Sequence, residues 1–366
     1  MTEPLRTTLP GDTGARIDEH TLRVVAGRLA ERARDYGLVM DRRGTVSLRP
    51  YRETSSYPLY LAEIASGTGA LQRVVVKFAP IFGTHREGQA EFTNLRAMSA
   101  RLESRGQLHV PRPLDYWEDV NALVTEHRPG MRFSARILST PGWFSSRRTR
   151  HSLACTARQC GEWLRIYHDT TARGRGPALD ERFMNIMRRD IARIPPRGSM
   201  HGLRPRIVAA LETIQATLAT ATAPVSVRHG DFSPDNVHLD GDGICVFDLS
   251  HHASAPVHDD ITFFLVTLDT MNPYPRYPAF DRRTARALAS PFLDGYFGAD
   301  RARRESEESA VLGAYTLKNL LTRCLRQRRV AAAAGPLALA AFDGLWVAGR
   351  YRDLVGRAIE RATAAR

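Results

Sequence analysis

The sequence predicts an α+β chain in two lobes, a small β-rich N-terminal lobe and a larger, mainly helical C-terminal lobe. Three observations predict it. Short β-rich runs crowd residues 45–78, and beyond residue 130 the texture is helical almost throughout. One β-rich, turn-containing stretch, 225–250, interrupts those helices and carries a dense set of polar residues. At 366 residues the chain is long enough to bury a large core and to divide.

Residues 1–15 have no apolar period and read as a disordered tail. From Ile17 to Tyr36, apolar Leu22, Val25, Leu29 and Ala33 recur with a helical period between charges. Thr45–Tyr51, Leu59–Ala65 and Leu71–Phe78 then read as a three-stranded antiparallel meander, with Lys77 at the end of the third strand. His85 to Leu102 is a helix on which Glu87 and Glu91, four apart, share a face. Pro111 and Pro113 stop the helical texture, and strands follow at Leu114–Trp117 and Ala122–Glu126. The first lobe therefore spans 16–130 and the second 131–366. In the second, helices are expected at 149–170, 180–194, 203–221, 259–269, 282–297, 309–329 and 336–364, with Pro336 suited to a first helical turn.

Between the third and fourth of these helices, Val225 to Arg228 reads as a β-run delivering His229-Gly230-Asp231. Asn236 follows five residues after Asp231, and Asp240-Gly241-Asp242-Gly243 turns the chain into a second apolar run, Ile244 to Phe247, ending at Asp248. An Asp-Gly turn between β-runs is a strong hairpin signal. The expected hairpin, 225–250, lets Asp231, Asn236 and Asp248 converge. A carboxylate to hold a hydroxyl, with an amide and a second carboxylate to hold Mg²⁺, is the equipment of phosphoryl transfer.

The formal net charge is +13 and the pI about 10.1. Lys77 and Lys318 are the lysines; the other fifty of the 52 basic residues are arginines. Where arginine is the default cation, a retained lysine points to a site wanting a compact charge. Residues 131–206 hold sixteen arginines against five acidic residues. Such a segment favours anionic partners, although a compositional bias explains it equally well. The arginine clusters at 147–150 and 326–329 come without a nucleic-acid module, so no specific nucleic-acid partner is expected, and peripheral contact with anionic surfaces stays open. Cys155, Cys160, Cys245 and Cys324 show neither zinc nor disulfide spacing, which fits a reducing compartment. The first fourteen residues lack the apolar stretch of a signal peptide, and no apolar run reaches the ~18 residues of a membrane span. A cytoplasmic protein is expected.

His229-Gly230-Asp231, then Asn236, then Asp248 resembles the signature of the aminoglycoside phosphotransferase and choline kinase-like family, small-molecule kinases with the protein-kinase fold. The resemblance runs from about Thr45 to Phe297. It implies a two-lobed protein-kinase-like fold, ATP or GTP with Mg²⁺ as cofactors, and a small-molecule hydroxyl acceptor. It makes Asp231 the catalytic base and Asn236 and Asp248 the metal ligands. Lys77 becomes the lysine on the nucleotide phosphates, Glu91 its helix partner (Glu87 being the runner-up), and the backbone near Glu126 and His127 the adenine hinge. Ile166-Tyr167-His168 resembles the end of the long helix before the motif, and Asp260 a brace of the catalytic loop. Two departures stand out. The loop 52–57 has no glycine, so Ser55 and Ser56 are the candidates for phosphate contact, and Asp248-Leu249-Ser250 stands where protein kinases have Asp-Phe-Gly.

Only twelve residues separate Asp248 from Asp260, too few for the activation loop and peptide platform of a protein kinase, and Gly230 replaces the arginine that would read a phosphosite. A catalytically silent nucleotide-binding scaffold and an antibiotic-resistance kinase are the alternatives. The basic segment argues for a neutral or anionic acceptor, such as a sugar, glycoconjugate or natural product, over a polycationic one. Trp143, Phe144, Tyr274 and Tyr277 are aromatic candidates for stacking on it.

Overall fold

The computed structural model describes residues 17–38, 44–52, 58–66, 71–78, 85–141, 145–250, 253–273, 277 and 280–364. The expected tail, Ser55 and Ser56, and Trp143, Phe144 and Tyr274 lie outside them. The described residues form two compact units. One runs up to Pro129 and takes in the segment beginning at Cys245; the other comprises Gly130–Ile244 and the chain from Ala253 onward.

In the first unit, α1 (Glu19–Arg32) starts at Asp18, whose carboxylate accepts the Thr21 amide at 2.8 Å, and buries Val25 and Leu29. Strands β1 (Thr45–Arg52), β2 (Leu59–Ala65) and β3 (Leu71–Phe78) form the expected meander. Helix α2 (His85–Leu102) follows, then β4 (Leu108–His109), β5 (Pro113–Trp117) and β6 (Ala122–Glu126). Strand β6 pairs antiparallel with both β3 and β5, giving the sheet order β1-β2-β3-β6-β5. In β3 the alternation is strict. Val74, Val76 and Phe78 are buried in the core with Tyr60, Ile64, Trp117 and Val124, which turns Lys77 to the opposite face.

The second unit begins with β7 (Met131–Arg132), α3 (Phe133–Leu138), α4 (Arg147–Thr170), β8 (Ala172–Pro177), α5 (Glu181–Ala192) and α6 (Arg204–Thr217). Then come β9 (Thr222–Val227), β10 (Val237–Asp240), β11 (Gly243–Val246), at whose midpoint the chain passes to the first unit, and β12 (Ser254–Pro256). Helices α7 (His258–Asp269), α8 (Arg282–Ala287), α9 (Ala289–Phe297), α10 (Arg301–Glu307), α11 (Ser309–Ala333), α12 (Pro336–Ala341) and α13 (Arg352–Thr363) complete it.

Three expectations change. The hairpin is shorter than 225–250. It joins β10 to β11 through a turn with Gly241 at φ +59°, while β9 lies between β8 and β12 in a separate sheet. The reason is that Ala172–Pro177 and Ser254–Pro256, rich in Gly, Pro and Arg, give no strand signal yet supply the backbone partners of β9. The helix expected over 282–297 breaks at Leu288, because Pro291 has no N–H to give the Ala287 carbonyl. The last expected helix is α-helical at its start and its end, but Phe342–Tyr351 within it adopts the wider i→i+5 winding.

An aromatic group centres this unit. Phe232 is fully buried, stacked on Trp163 at 5.6 Å and against Phe264 at 5.4 Å, and Phe264 stacks on Phe292 at 4.3 Å. Helices α4 and α9 cross so closely that a Cβ on Gly161 would lie 2.0 Å from the Phe292 carbonyl oxygen, and one on Gly295 2.0 Å from that of Arg158. Only glycine fits at that crossing.

Candidate active site

Lys77 is delivered by β3 and Glu91 by α2. The lysine Nζ is 2.7 Å from the Glu91 carboxylate and 2.8 Å from that of Asp248, which places Glu91, the first of the two helix candidates, against the lysine. Burial disfavours the charge on Lys77, but the two carboxylates outweigh it and hold its pKa above the ordinary lysine value. Asp248 has φ +69°. The other described non-glycine residues with positive φ are Asn121 and Asn272, and asparagine tolerates that region better. A strained carboxylate beside a half-buried lysine is the kind of outlier that marks a functional position. Asn94, one turn beyond Glu91 on α2, donates its side-chain amide to the Leu249 carbonyl at 2.9 Å and fixes the backbone next to Asp248. Sequence reasoning missed it, although its i+3 spacing from Glu91 puts both on one helix face.

In the second unit, Asp231 and Asn236 come together: the Asn236 amide nitrogen donates to the Asp231 carbonyl at 2.9 Å and to its carboxylate at 3.0 Å. That orientation leaves the Asn236 Oδ1, an acceptor, directed elsewhere and chemically suited to a hard cation. The residues between them are pinned. Phe232 is locked in the aromatic core, the Ser134 hydroxyl donates to Asp235 at 2.6 Å, and the Ser134 amide donates to the Pro234 carbonyl at 3.0 Å. Ser134 was also missed; its sequence surroundings offer no signal.

Before Asp231 the loop is braced as the sequence suggested. The His229 and Gly230 amides donate to the two oxygens of Asp260 at 2.7 and 2.8 Å, with Gly230 at φ +81°. His168 contacts Asp260 at 3.2 Å through Nε2 and the Tyr296 hydroxyl at 2.8 Å through Nδ1, so it is a buried hydrogen-bonded group and more than helix packing. Burial works against the Asp260 charge, but His168, His229 and the Gly230 amide outweigh it and hold the carboxyl well below its usual range.

The hinge candidates are placed differently. The Glu126 carboxylate accepts from the Arg112 amide at 2.9 Å and from Arg128 at 2.8 Å, and the Glu126 amide donates to the Arg112 carbonyl. The His127 amide donates to the Arg73 carbonyl, and its ring nitrogen lies 3.1 Å from the Tyr51 hydroxyl. Both amides are thus engaged within the unit. Tyr277, the described member of the stacking candidates, is exposed.

Among solved structures the chain is similar to a glucosamine kinase, with TM-score 0.59 and 17% identity over 90% of this chain and 85% of that one. A choline/ethanolamine kinase family protein from Mesorhizobium loti matches with TM-score 0.53 and 14% identity over 94% and 99% of the two chains. An amicoumacin kinase, solved in complex with AMP-PNP, Ca²⁺ and Ami, matches with TM-score 0.52 and 14% identity over 93% and 94%. The fold is therefore α+β and protein-kinase-like, with a strand-rich N-terminal unit and a helical C-terminal one. The profile of the phosphotransferase enzyme family, APH, matches residues 60–306, and the chain belongs to that family. No curated protein matches the sequence. Among the described residues no helix is long and apolar enough to cross a membrane.

Proposed function

We propose that the protein transfers the γ-phosphoryl group of MgATP to a hydroxyl group of a small molecule. The observation that carries this reading is Lys77 held between Glu91 and Asp248 at 2.7 and 2.8 Å. In this reading Lys77 binds the nucleotide phosphates and Glu91 keeps it extended. Asp248 and Asn236 are the Mg²⁺ ligands; one carboxylate and one amide oxygen suit an ion that keeps water and phosphate oxygens as its other ligands. When bound, Mg²⁺ neutralises charge on the phosphates. Asp231 accepts a hydrogen bond and then the proton of the acceptor hydroxyl. Ser55, Ser56 and, since the Glu126 and His127 amides are engaged, the backbone carbonyls near Glu126 and His127 are proposed nucleotide contacts, the base being adenine or guanine.

For the acceptor we favour a neutral or anionic compound. Most arginines of the basic segment are exposed, among them Arg147, Arg148, Arg150, Arg188 and Arg189, and their field disfavours a polycation. The test is phosphorus NMR of the protein with MgATP and a panel of hexosamines, neutral sugars, sugar phosphates, nucleosides and aminoglycosides. A new phosphate monoester on a neutral or anionic member is expected. Exclusive phosphorylation of aminoglycosides would overturn the acceptor class, and nucleotide binding without transfer to any member would favour a scaffold.

A further inference from the structure

Lys77 is explained by the proposed site; Lys318, the second lysine of this arginine-rich chain, is not. It lies on α11, far along the chain from the loop that carries Asp231, and is 4% exposed. Its ammonium donates to the carboxylate of Asp259, itself buried. Asn319, the next residue on α11, donates to the Asp259 carbonyl at 3.1 Å and to the Thr262 hydroxyl at 2.9 Å, and Thr262 in turn donates to the His258 carbonyl at 2.7 Å. All these acceptors belong to the first turns of α7.

Val257 at the N-cap brings no side-chain hydrogen bond to that helix start, and the α11 donors brace its carboxylate, carbonyl and hydroxyl groups instead. Two consecutive aspartates sit there and face different ways. Asp259 turns to α11, and Asp260 turns to the catalytic loop, taking the His229 and Gly230 amides. The position of one sets that of the other, since adjacent residues of a helical turn share a backbone.

We propose that Lys318 is a positioning residue for phosphoryl transfer: by anchoring Asp259 it fixes the start of α7, and so the Asp260 carboxylate that shapes the loop presenting Asp231. This rests on the kinase reading above. The residue type follows from its surroundings. Arg182 reaches Asp259 at 3.9 Å, and Arg228, which directly precedes His229, adds a second guanidinium nearby. A third planar guanidinium would not fit where a compact ammonium does. Burial first, then these two cations, lower the Lys318 pKa, while Asp259 opposes them.

The experiment compares Lys318→Met, Asp259→Asn/Lys318→Met and Asn319→Ala with the wild type. It measures kcat and KM for MgATP, and amide hydrogen exchange of the peptide covering 227–233. Lys318→Met is expected to lower kcat by about 10- to 100-fold, the effect of a misplaced reacting group, with KM for MgATP within about twofold. Exchange should rise selectively at 227–233. The double variant, which buries no lone charge, should recover part of both. Lys318→Met with wild-type kcat and a lowered Tm would reduce the pair to a core ion pair and overturn the proposal, as would a uniform rise in exchange. If Lys318→Met does not fold, Asn319→Ala decides: a selective fall in kcat supports the proposal and an unchanged kcat overturns it. A wild type without phosphoryl transfer would refute the kinase reading alone, because the exchange measurement still reports whether Lys318 holds the loop.

Discussion

Lys77 and Lys318 are similarly enclosed, their side chains 15% and 4% exposed, yet their surroundings push them in opposite directions. Lys77 touches two carboxylates, Glu91 and Asp248, and its charge is favoured beyond that of a free lysine. Lys318 touches one, Asp259, with Arg182 and Arg228 close by, and its charge is disfavoured. Burial works against the charge on both lysines; two carboxylates outweigh it at Lys77, whereas at Lys318 it prevails over the single carboxylate of Asp259, with Arg182 and Arg228 adding to it. The difference also separates their uses. Asp248 is one-third exposed, and in the proposed reading it takes a metal ion beside Lys77, whereas Asp259 is shut in with its partner.

The sharpest way to break the comparison is to remove chemistry without touching either lysine. Asp231→Ala should lower kcat by about 10²- to 10⁴-fold, the usual worth of a general base, and leave MgATP affinity within twofold by calorimetry. A variant with near-normal turnover would refute the role of Asp231. Lys77→Met comes next. It should weaken MgATP binding by about 10- to 100-fold, the worth of a charged hydrogen-bonding partner, and Lys77→Arg should not restore it because a planar fork cannot occupy a point between two carboxylates. Equal affinity in Lys77→Met would remove the nucleotide from that end of β3.

Much of this contrast was legible in the sequence. The β3 lysine, the helix glutamate and the Asp231–Asn236 spacing are local patterns, and local patterns survive translation into structure. Asp260 was legible only through the family resemblance, as a brace of the loop. What escaped was carried by backbone or by distant partners. Strand β8 has no apolar alternation, so the true neighbour of β9 was invisible and the hairpin was drawn too long. The pairing of Lys318 on α11 with Asp259 on α7 spans 59 residues and the three helices between them, and nothing in the sequence near either residue announces it. Ser134, pinning Asp235 from 101 residues away, escaped likewise.

A smaller effect sharpens the role of Asp260, the element that links the Lys318 side to the loop. Its carboxyl is depressed below the ordinary value of 3.8, so the unfolded state binds the proton more readily. The stability it contributes is present above pH about 4 and is lost as pH falls through the folded value. Asp260→Asn cannot titrate, and a plot of Tm against pH below 4 should be shallower for it than for the wild type. Identical slopes would show that the loop amides do not depend on an ionised Asp260.

The smallest expected effect tests whether burial is the right axis at all. Arg303 and Glu307 on α10 form an ion pair at 3.0 Å, as short as many in the protein, with a second contact from Arg303 to Asp300 at 3.5 Å. Their side chains are 61% and 56% exposed, so water and salt already satisfy both charges, and holding two long side chains in place offsets the remaining attraction. Arg303→Ala should leave Tm unchanged within error at physiological salt, although it removes two contacts where Lys318→Met removes one. The enclosed pair behaves otherwise, because truncating Lys318 strands the Asp259 carboxylate where no water replaces its partner. Equal losses of Tm in the two variants would mean that the number of ion contacts, and not their enclosure, sets their worth, and Lys318 would then lose its claim to a special place beneath the catalytic loop.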